Sequence, residues 1–268
     1  MENVIIPVVP IRGGAVFPGV TTTISIGRRR SLAAAQAASR GNGQLIITVQ
    51  YNADVEIPNE KDLTEIAILA NVRDVLRAPH AGGVQMLVEL KERVHFTGLV
   101  QTDPYLTGTY RSIVKEAEEI QDSDIQLMAD AIAHLETYAE AMGEINQQVL
   151  SATRSRRTVG DLADYLAGLL NLPFALEIEL VGELNGAARL EKVKTFLQQE
   201  MRIAKIRSDL EGEARDGANK AQREFLLREQ MKAIKRELGE DPESAADELR
   251  QKVDEAGMPE EVYERVNK

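Results

Sequence analysis

NKAQREFLLREQMKAIKRELGE, residues 219–240, is the stretch from which the rest of the chain can be interpreted. Four apolar side chains follow one another in it at steps of four, three and four residues, so they share one face of a helix. These residues, which we call the helix seam, are Leu227, Met231, Ile234 and Leu238. Charged residues occupy most of the other positions. The pattern predicts an amphipathic helix, and its seam needs a partner because an isolated helix gains little stability from propensity alone.

This helix extends far towards the N-terminus of the chain. No proline occurs between Ala187 and Leu238, so we predict one long helix over residues 187–240. Gly212 and Gly217 lie inside it, and each costs roughly 1 kcal/mol relative to alanine, which predicts a kink or a frayed joint at 212–217. Apolar residues at helical spacing also fill residues 117–186, where we expect a helical lobe. Two further short helices are expected in residues 241–268.

The first 116 residues have the pattern of a β-rich lobe. Short β-branched runs alternate with glycine and proline turns, and Ser31–Ser39 is the one alanine-rich stretch that predicts a short helix. The run Val4–Ile11 contains two prolines, which favours an edge strand that could accept an extended peptide. The predicted fold class is therefore α+β: a mixed, pseudo-barrel-like sheet with a short helix, then a helical lobe, then the long C-terminal helix.

Composition excludes several classes of function. The formal net charge is −11 and aromatic residues are only 4%, so binding to nucleic acid or to an anionic membrane is not expected. The absence of cysteine removes disulfides and thiolate metal sites, and the three histidines fit no metal-binding spacing. No basic leader or long apolar run is present, so we expect a cytoplasmic protein.

The sequence contains no catalytic motif. No GxxxxGK[ST] phosphate-binding loop occurs, and the paired carboxylates have no nucleophile or metal ligand beside them. We therefore expect no catalytic residue, metal or cofactor in this chain, and neither ATP hydrolysis nor peptide cleavage by it.

Apolar residues next to turns are the best candidates for a binding site. They are Val16, Phe17 and Pro18 in a glycine-flanked loop, and Leu76, Pro79 and Met86 around a predicted hairpin turn. One interpretation is a small core beneath a loop. The other is an exposed apolar patch that binds unfolded chains, for which a flexible methionine side chain is well suited.

Three stretches resemble the amino-terminal region of Lon, the ATP-dependent AAA+ protease. They are IPVVPIRGGAVFPGV at 6–20, DLTEIAILANVRDVLR at 62–77 followed by VQMLVELKERVHF at 84–96, and QREFLLREQMKAIKRELGE at 222–240. The resemblance implies a sheet-containing lobe, a helical lobe and a long helix that leads to an ATPase ring. It also implies that the full-length protein is a homohexamer. The resemblance further implies that an ATPase part, which uses ATP and Mg²⁺, and a Ser–Lys protease part are located after residue 268.

Our leading hypothesis is a non-catalytic substrate-recognition and oligomerisation region. It would bind unfolded or damaged proteins and deliver them to the ring, with the helix seam contacting other copies or the ATPase base. Two alternatives remain at this point: a nucleic-acid-binding β-barrel module, and a purely structural spacer built on the long helix.

Overall fold

The structure, a computed structural model, describes residues 4–77, 84–114, 121–143, 145–238, 251–252 and 255. The chain divides into two compact units, Met1–Arg202 and Ile203–Lys268. The sheet and the shorter helices lie in the first unit. The six strands are β1 (Val4–Ile11), β2 (Thr21–Ile26), β3 (Gln44–Val49), β4 (Ile66–Arg77), β5 (Val84–Gln101) and β6 (Thr107–Ser112).

The sheet closes into a ring of five strands and leaves one strand outside it. The order is β2-β5-β4-β3-β1-β6, and β6 pairs again with β5. Only β1 and β3 run parallel; the other pairs are antiparallel. The predicted mixed, pseudo-barrel-like sheet is thereby confirmed. The strand that remains at an edge is β2, which pairs with β5 alone among the described strands.

Two strand predictions need correction. The expectation that residues 4–11 form an edge strand is wrong, because Val4–Pro7 pairs with β6 and Val8–Ile11 pairs with β3. The prolines are tolerated there because the two halves of β1 have different partners. The sequence pattern also predicts two separate strands at residues 84–90 and 94–100. These residues form one strand, β5, which pairs with β2 through its first half and with β6 through its second.

The helices are α1 (Arg29–Arg40), α2 (Asp122–Met142), α3 (Gln147–Arg154), α4 (Val159–Leu169), α5 (Phe174–Gly182) and α6 (Gly186–Glu237). Local signals set several of their starts. The Asn146 side chain accepts a hydrogen bond from Val149 N at the start of α3, and Thr158 does the same for Asp161 N at the start of α4. The long helix is confirmed as α6, and the chain stays helical at Gly212 and Gly217, where we expected a kink or a frayed joint.

Of the helices expected in residues 241–268, only Gln251, Lys252 and Glu255 lie within the described residues, and these are helical. The division of the chain at residues 116, 186 and 240 stays a prediction. None of the helices in the described ranges combines the length and apolar character needed to span a bilayer.

The first unit has a sheet core and a helical core. Three small residues of α1 let this helix pack closely on β1, β3 and β4: Ala34, Ala35 and Ala38. The helical core is built from leucines of α2, α4, α5 and the start of α6, and it also contains Phe17, Val49 and Ile66 from the sheet region. The sheet and the helices therefore share buried contacts.

A buried ion network also joins the sheet to the helices. Arg93 of β5 donates from Nη1 and Nη2 to the Asp164 carboxylate of α4 at 2.6 and 2.8 Å, and to the carbonyl oxygens of Leu180 and Val181 at the end of α5. Arg189 of α6 lies 3.0 Å from the same carboxylate through Nε. The network around this carboxylate thus connects four elements of the first unit: β5, α4, α5 and α6.

Candidate functional site

The predicted apolar patch does not form one exposed surface. Phe17 is only 2% exposed within the helical core, and Met86 is 0% exposed beneath α1, so the expectation that these two side chains are exposed is wrong. Met86 shares the inward face of β5 with Val88 and Leu90. Phe17 turns inward because its loop crosses the apolar side chains of the helical core. The core interpretation is correct for both residues.

The other members of the predicted patch have different positions. Val16 and Pro18 are half-buried beside Phe17, and Leu76 is 54% exposed near the end of β4. Pro79 lies outside the described residues. A binding role for Val16, Pro18 and Leu76 stays a prediction.

A cleft of about 470 Å³ separates β1 from β2, and we call it the β2 cleft. One wall is formed by Val9–Ile11 of β1 with Arg12 after it, and the other by Thr22–Ile26 of β2. Gly14–Val16 of the preceding loop line it from the side. Because Phe17 anchors this loop in the helical core, the cleft wall that contains Val16 is fixed from below.

The cleft follows the unpaired edge of β2. Leu90 N donates to Val20 O at 2.9 Å, so alternation along an antiparallel pair directs the backbone groups of residues 22, 24 and 26 towards β5. The same alternation directs the N–H and C=O groups of Thr21, Thr23 and Ser25 away from β5. No strand within the described ranges pairs with this edge. An unpaired strand edge is a template for another extended chain.

A second cleft, of about 500 Å³, adjoins the first at the start of α1, and we call it the α1 cleft. Its walls combine apolar side chains with the arginine run 28–30, and they are Val8, Pro10, Gly27, Arg28, Arg29, Arg30, Ser31, Glu56, Ile57, Pro58 and Leu106. Four residues line both clefts: Pro10, Gly27, Arg28 and Ser31. The two clefts are therefore neighbouring parts of one depression.

The three arginines at this junction have different environments. Arg28 is half-buried and donates hydrogen bonds to Pro10 O and to Gln50 Oε1. Burial lowers the pKa of Arg28, the charge of Arg12 lowers it further, and Glu56 acts in the opposite direction. Arg30 lies 3.5 Å from Asp103 at the surface. Arg29 is exposed. The run is thus partly structural, and not simply the solvated charge run that its sequence suggests.

Of the residues that line this depression, the sequence singled out Val16 and, as a strand that could accept a peptide, residues 4–11, but neither β2 nor the start of α1. Thr21, Thr23 and Ser25 read as an ordinary β-branched strand, and Ser31 as the start of a short helix. The order of the elements could have indicated part of this site. Gly27 and Arg28 alone separate the predicted strand from the predicted helix, so the end of the strand must lie beside the N-terminus of the helix. The sequence could not show which strand has an unpaired edge, because this depends on which residues of β5 pair with β2 and which pair with β6.

The helix seam lies on α6 within the second unit, and its four residues are between 53% and 66% exposed. Three exposed apolar residues upstream continue it: Ile203, Ile206 and Leu210. Ile203, Leu210, Met231 and Leu238 are separated by multiples of seven residues, and so are Ile206, Leu227 and Ile234. This is the spacing of coiled-coil seams. The intervening seam positions are polar or glycine: Glu213, Gly217, Lys220 and Glu224.

The described residues contain no group of three or more His, Asp or Glu side chains that could hold a metal ion. The features that remain as functional candidates are accordingly binding surfaces: the two joined clefts in the first unit and the seam in the second.

Comparisons with known proteins give the family. Residues 5–199 match the family model described as "ATP-dependent protease La (LON) substrate-binding domain". The chain is 33% identical over 260 residues to Lon protease 4 of Sorangium cellulosum, and 29% identical over 267 residues to the Lon protease of Vibrio parahaemolyticus serotype O3:K6. These matches cover 96% and 98% of this chain, but 32% and 34% of the relatives.

The fold has a counterpart among solved structures. The N terminal domain of the Mycobacterium avium complex Lon protease superposes with a TM-score of 0.61 at 19% identity, covering 72% of this chain and 98% of that one. The chain spans about a third of the length of the curated relatives that it matches. Because the family model matches most of the chain, from the first strand into α6, the chain belongs to the Lon substrate-binding domain family.

Proposed function

We propose that this chain is the non-catalytic substrate-recognition region of an ATP-dependent Lon-type protease. It binds unfolded or damaged proteins through their exposed apolar segments and delivers them to the ATPase and protease ring. In the complete protein, ATP, Mg²⁺ and the Ser–Lys dyad belong to parts other than this region. The whole protein is a cytoplasmic homohexamer in this proposal.

The unpaired edge of β2 is the observation that carries the proposal. An extended chain in the β2 cleft can pair its backbone with Thr23 and Ser25, while its apolar side chains contact Val9, Ile11 and Val16. A folded protein already pairs its backbone groups and buries its apolar side chains, so it cannot enter in this way. The site therefore selects for the unfolded state and not for one particular sequence.

The β2 edge can be tested with a proline that removes one outward N–H. Thr23→Pro leaves the bonds between β2 and β5 in place, because Thr23 faces away from β5, and proline is tolerated in edge strands. We expect about tenfold weaker binding of a labelled, reduced and carboxymethylated protein, measured by fluorescence anisotropy. Thr23→Ala keeps the N–H and should bind within about twofold of the parent.

Two results would contradict this proposal. If Thr23→Pro keeps its fold by circular dichroism and binds like Thr23→Ala, the β2 edge is not the site. If the native form of the same labelled protein binds as tightly as the unfolded form, the chain does not select for unfolded proteins.

We also propose that the helix seam binds a second copy of this chain. Its exposed apolar residues and their seven-residue phase support a coiled-coil contact, and this contact contributes to the assembly of the homohexamer. This second role is separate from the clefts, since the seam lies in the other compact unit.

A further inference from the structure

The N-terminus of α1 opens into the depression without a side-chain cap. Arg28 occupies the N-cap position, and its side chain makes no capping hydrogen bond. The first amides of a helix have no partner inside the helix, and they carry a partial positive charge. An anionic group is the natural ligand of such an end, but a helix end alone does not define a site.

Ser31 supplies the second observation. It is the third residue of α1, it is only 5% exposed, and it lines both clefts. No hydrogen bond to its hydroxyl occurs among the residues that the structure describes, so this side chain can donate to a ligand in the clefts that it lines. A ligand oxygen at the junction of the clefts would accept hydrogen bonds both from the Ser31 hydroxyl and from the first amides of α1.

The charge of the junction suits a single negative charge. Arg28 is held by Pro10 O and Gln50 Oε1, Arg12 donates to Val55 O, Arg30 lies against Asp103, and Glu56 adds a negative charge to the wall. Exposed Arg29 is the guanidinium left for a ligand in this part of the described chain. A phosphate dianion or a polyanion would require more free positive charge than this.

The remaining walls suit an apolar side chain next to that charge. Val8, Ile57 and Leu106 line the α1 cleft, and Ile57 is 58% exposed. β2 runs towards α1 and is joined to it only by Gly27 and Arg28. An extended chain that lies parallel to β2 therefore brings its C-terminus to the first turn of α1.

We infer that the joined clefts bind the C-terminal segment of an unfolded protein. The free α-carboxylate accepts hydrogen bonds from Ser31 Oγ and the first amides of α1, beside Arg29. The apolar side chain of the last residue contacts Val8 and Ile57. This inference rests on the proposed function and names its substrate class: unfolded chains that end in an apolar residue with a free carboxylate.

The inference is tested with a pair of peptides that differ in one group. A labelled, N-acetylated hexapeptide of valines and threonines that ends in leucine is prepared as the free acid and as the carboxamide. Binding to the full chain is measured by fluorescence anisotropy. We expect the acid to bind about tenfold more tightly, because charge-assisted hydrogen bonds are stronger than neutral ones.

Two variants and one control locate the carboxylate. Ser31→Ala and Arg29→Gln should each weaken binding of the acid more than binding of the amide, and so remove most of the preference for the acid. Arg40→Gln changes an exposed arginine at the other end of α1 and should keep the full preference. Because Arg29 is exposed, Arg29→Gln still tests the carboxylate site if Ser31→Ala disturbs the packing of α1.

The outcomes separate this inference from the proposed function. Equal binding of acid and amide, both weakened by Thr23→Pro, overturns the inference and supports the function. Loss of the preference in Arg40→Gln also overturns it, because the effect would then be general electrostatics. If neither peptide binds, and the unfolded protein does not bind either, both the inference and the proposed function fail.

Discussion

Asp164 is the residue on which the contact between sheet and helices depends most. Its carboxylate lies between Arg93 and Arg189, and all three side chains are less than 10% exposed. Removing the negative charge leaves two guanidinium groups buried without compensation, and breaking a buried ion pair in this way costs about 3–5 kcal/mol. We expect Asp164→Asn to lower the free energy of unfolding by about this amount, measured by urea denaturation.

Asp161→Asn is the matched control for this prediction. Asp161 is an exposed carboxylate in the first turn of the same helix, and its loss should cost at most about 1 kcal/mol through the helix dipole. A loss below about 1 kcal/mol for Asp164→Asn as well would contradict the role given to the buried network.

Glu177 predicts a dependence of stability on pH. Burial raises the pKa of this α5 carboxyl above its usual 4.5 and outweighs the backbone hydrogen bond from Ala15, which acts in the opposite direction. The folded state therefore disfavours the charged form. Ionisation of Glu177 therefore destabilises the fold. This destabilisation is absent below pH 4.5 and develops as the pH rises through the raised pKa of Glu177 in the folded state.

We expect Glu177→Gln, which keeps an acceptor for Ala15, to be more stable than the parent at pH 7. The difference in the midpoint of urea denaturation should shrink to zero as the pH falls below 4.5. Glu179→Gln, which changes an exposed carboxyl of the same helix, is the matched control. A pH-independent gain for Glu177→Gln would show that the charge is not the cause.

At the scale of elements, local signals were sufficient for most of the fold. The side chains of Asn146 and Thr158 cap helix starts, and such signals are readable from the sequence because a cap acts within three residues of the chain. The alternation of β5 placed Met86 on the same face as Val88 and Leu90, so its burial could have been read from the sequence. Phe17 could not be placed in this way, because a loop residue between glycines has no period to show which side it faces.

The unpaired edge could not be predicted, and this is why the candidate site was missed. Prolines in residues 4–11 suggested an edge, yet β1 lies between β3 and β6, and β2 is the strand left open. Strand order depends on contacts between residues far apart in the chain. It also depends on the length of β5, which exceeds the two short strands that we predicted.

At the scale of the whole molecule, the helix seam is the surface that we propose for assembly. We expect the double variant Leu227→Asp and Ile234→Asp to lower self-association of the chain, measured by sedimentation equilibrium, because unpaired charges in a buried seam are poorly tolerated. Phe225→Asp with Leu226→Asp is the control: it adds the same charges to the same helix, at exposed apolar positions off the seam.

If both double variants associate as strongly as the parent chain, the seam is a solvated face of α6. Weaker association of both by the same factor would mean that net charge, and not the seam, controls assembly.

The shortness of the open β2 edge sets how long a captured chain stays. Three outward residues offer six backbone groups, and a hydrogen bond contributes roughly 0.5–1.5 kcal/mol net. Ordering two partners costs roughly 4–15 kcal/mol, so one such edge cannot hold a chain for long. Differences in affinity appear mainly in the dissociation rate, and residence on a single copy is therefore brief. A longer edge would retain the bound chain, whereas, in the proposed function, a six-residue strand can release it to the ATPase ring.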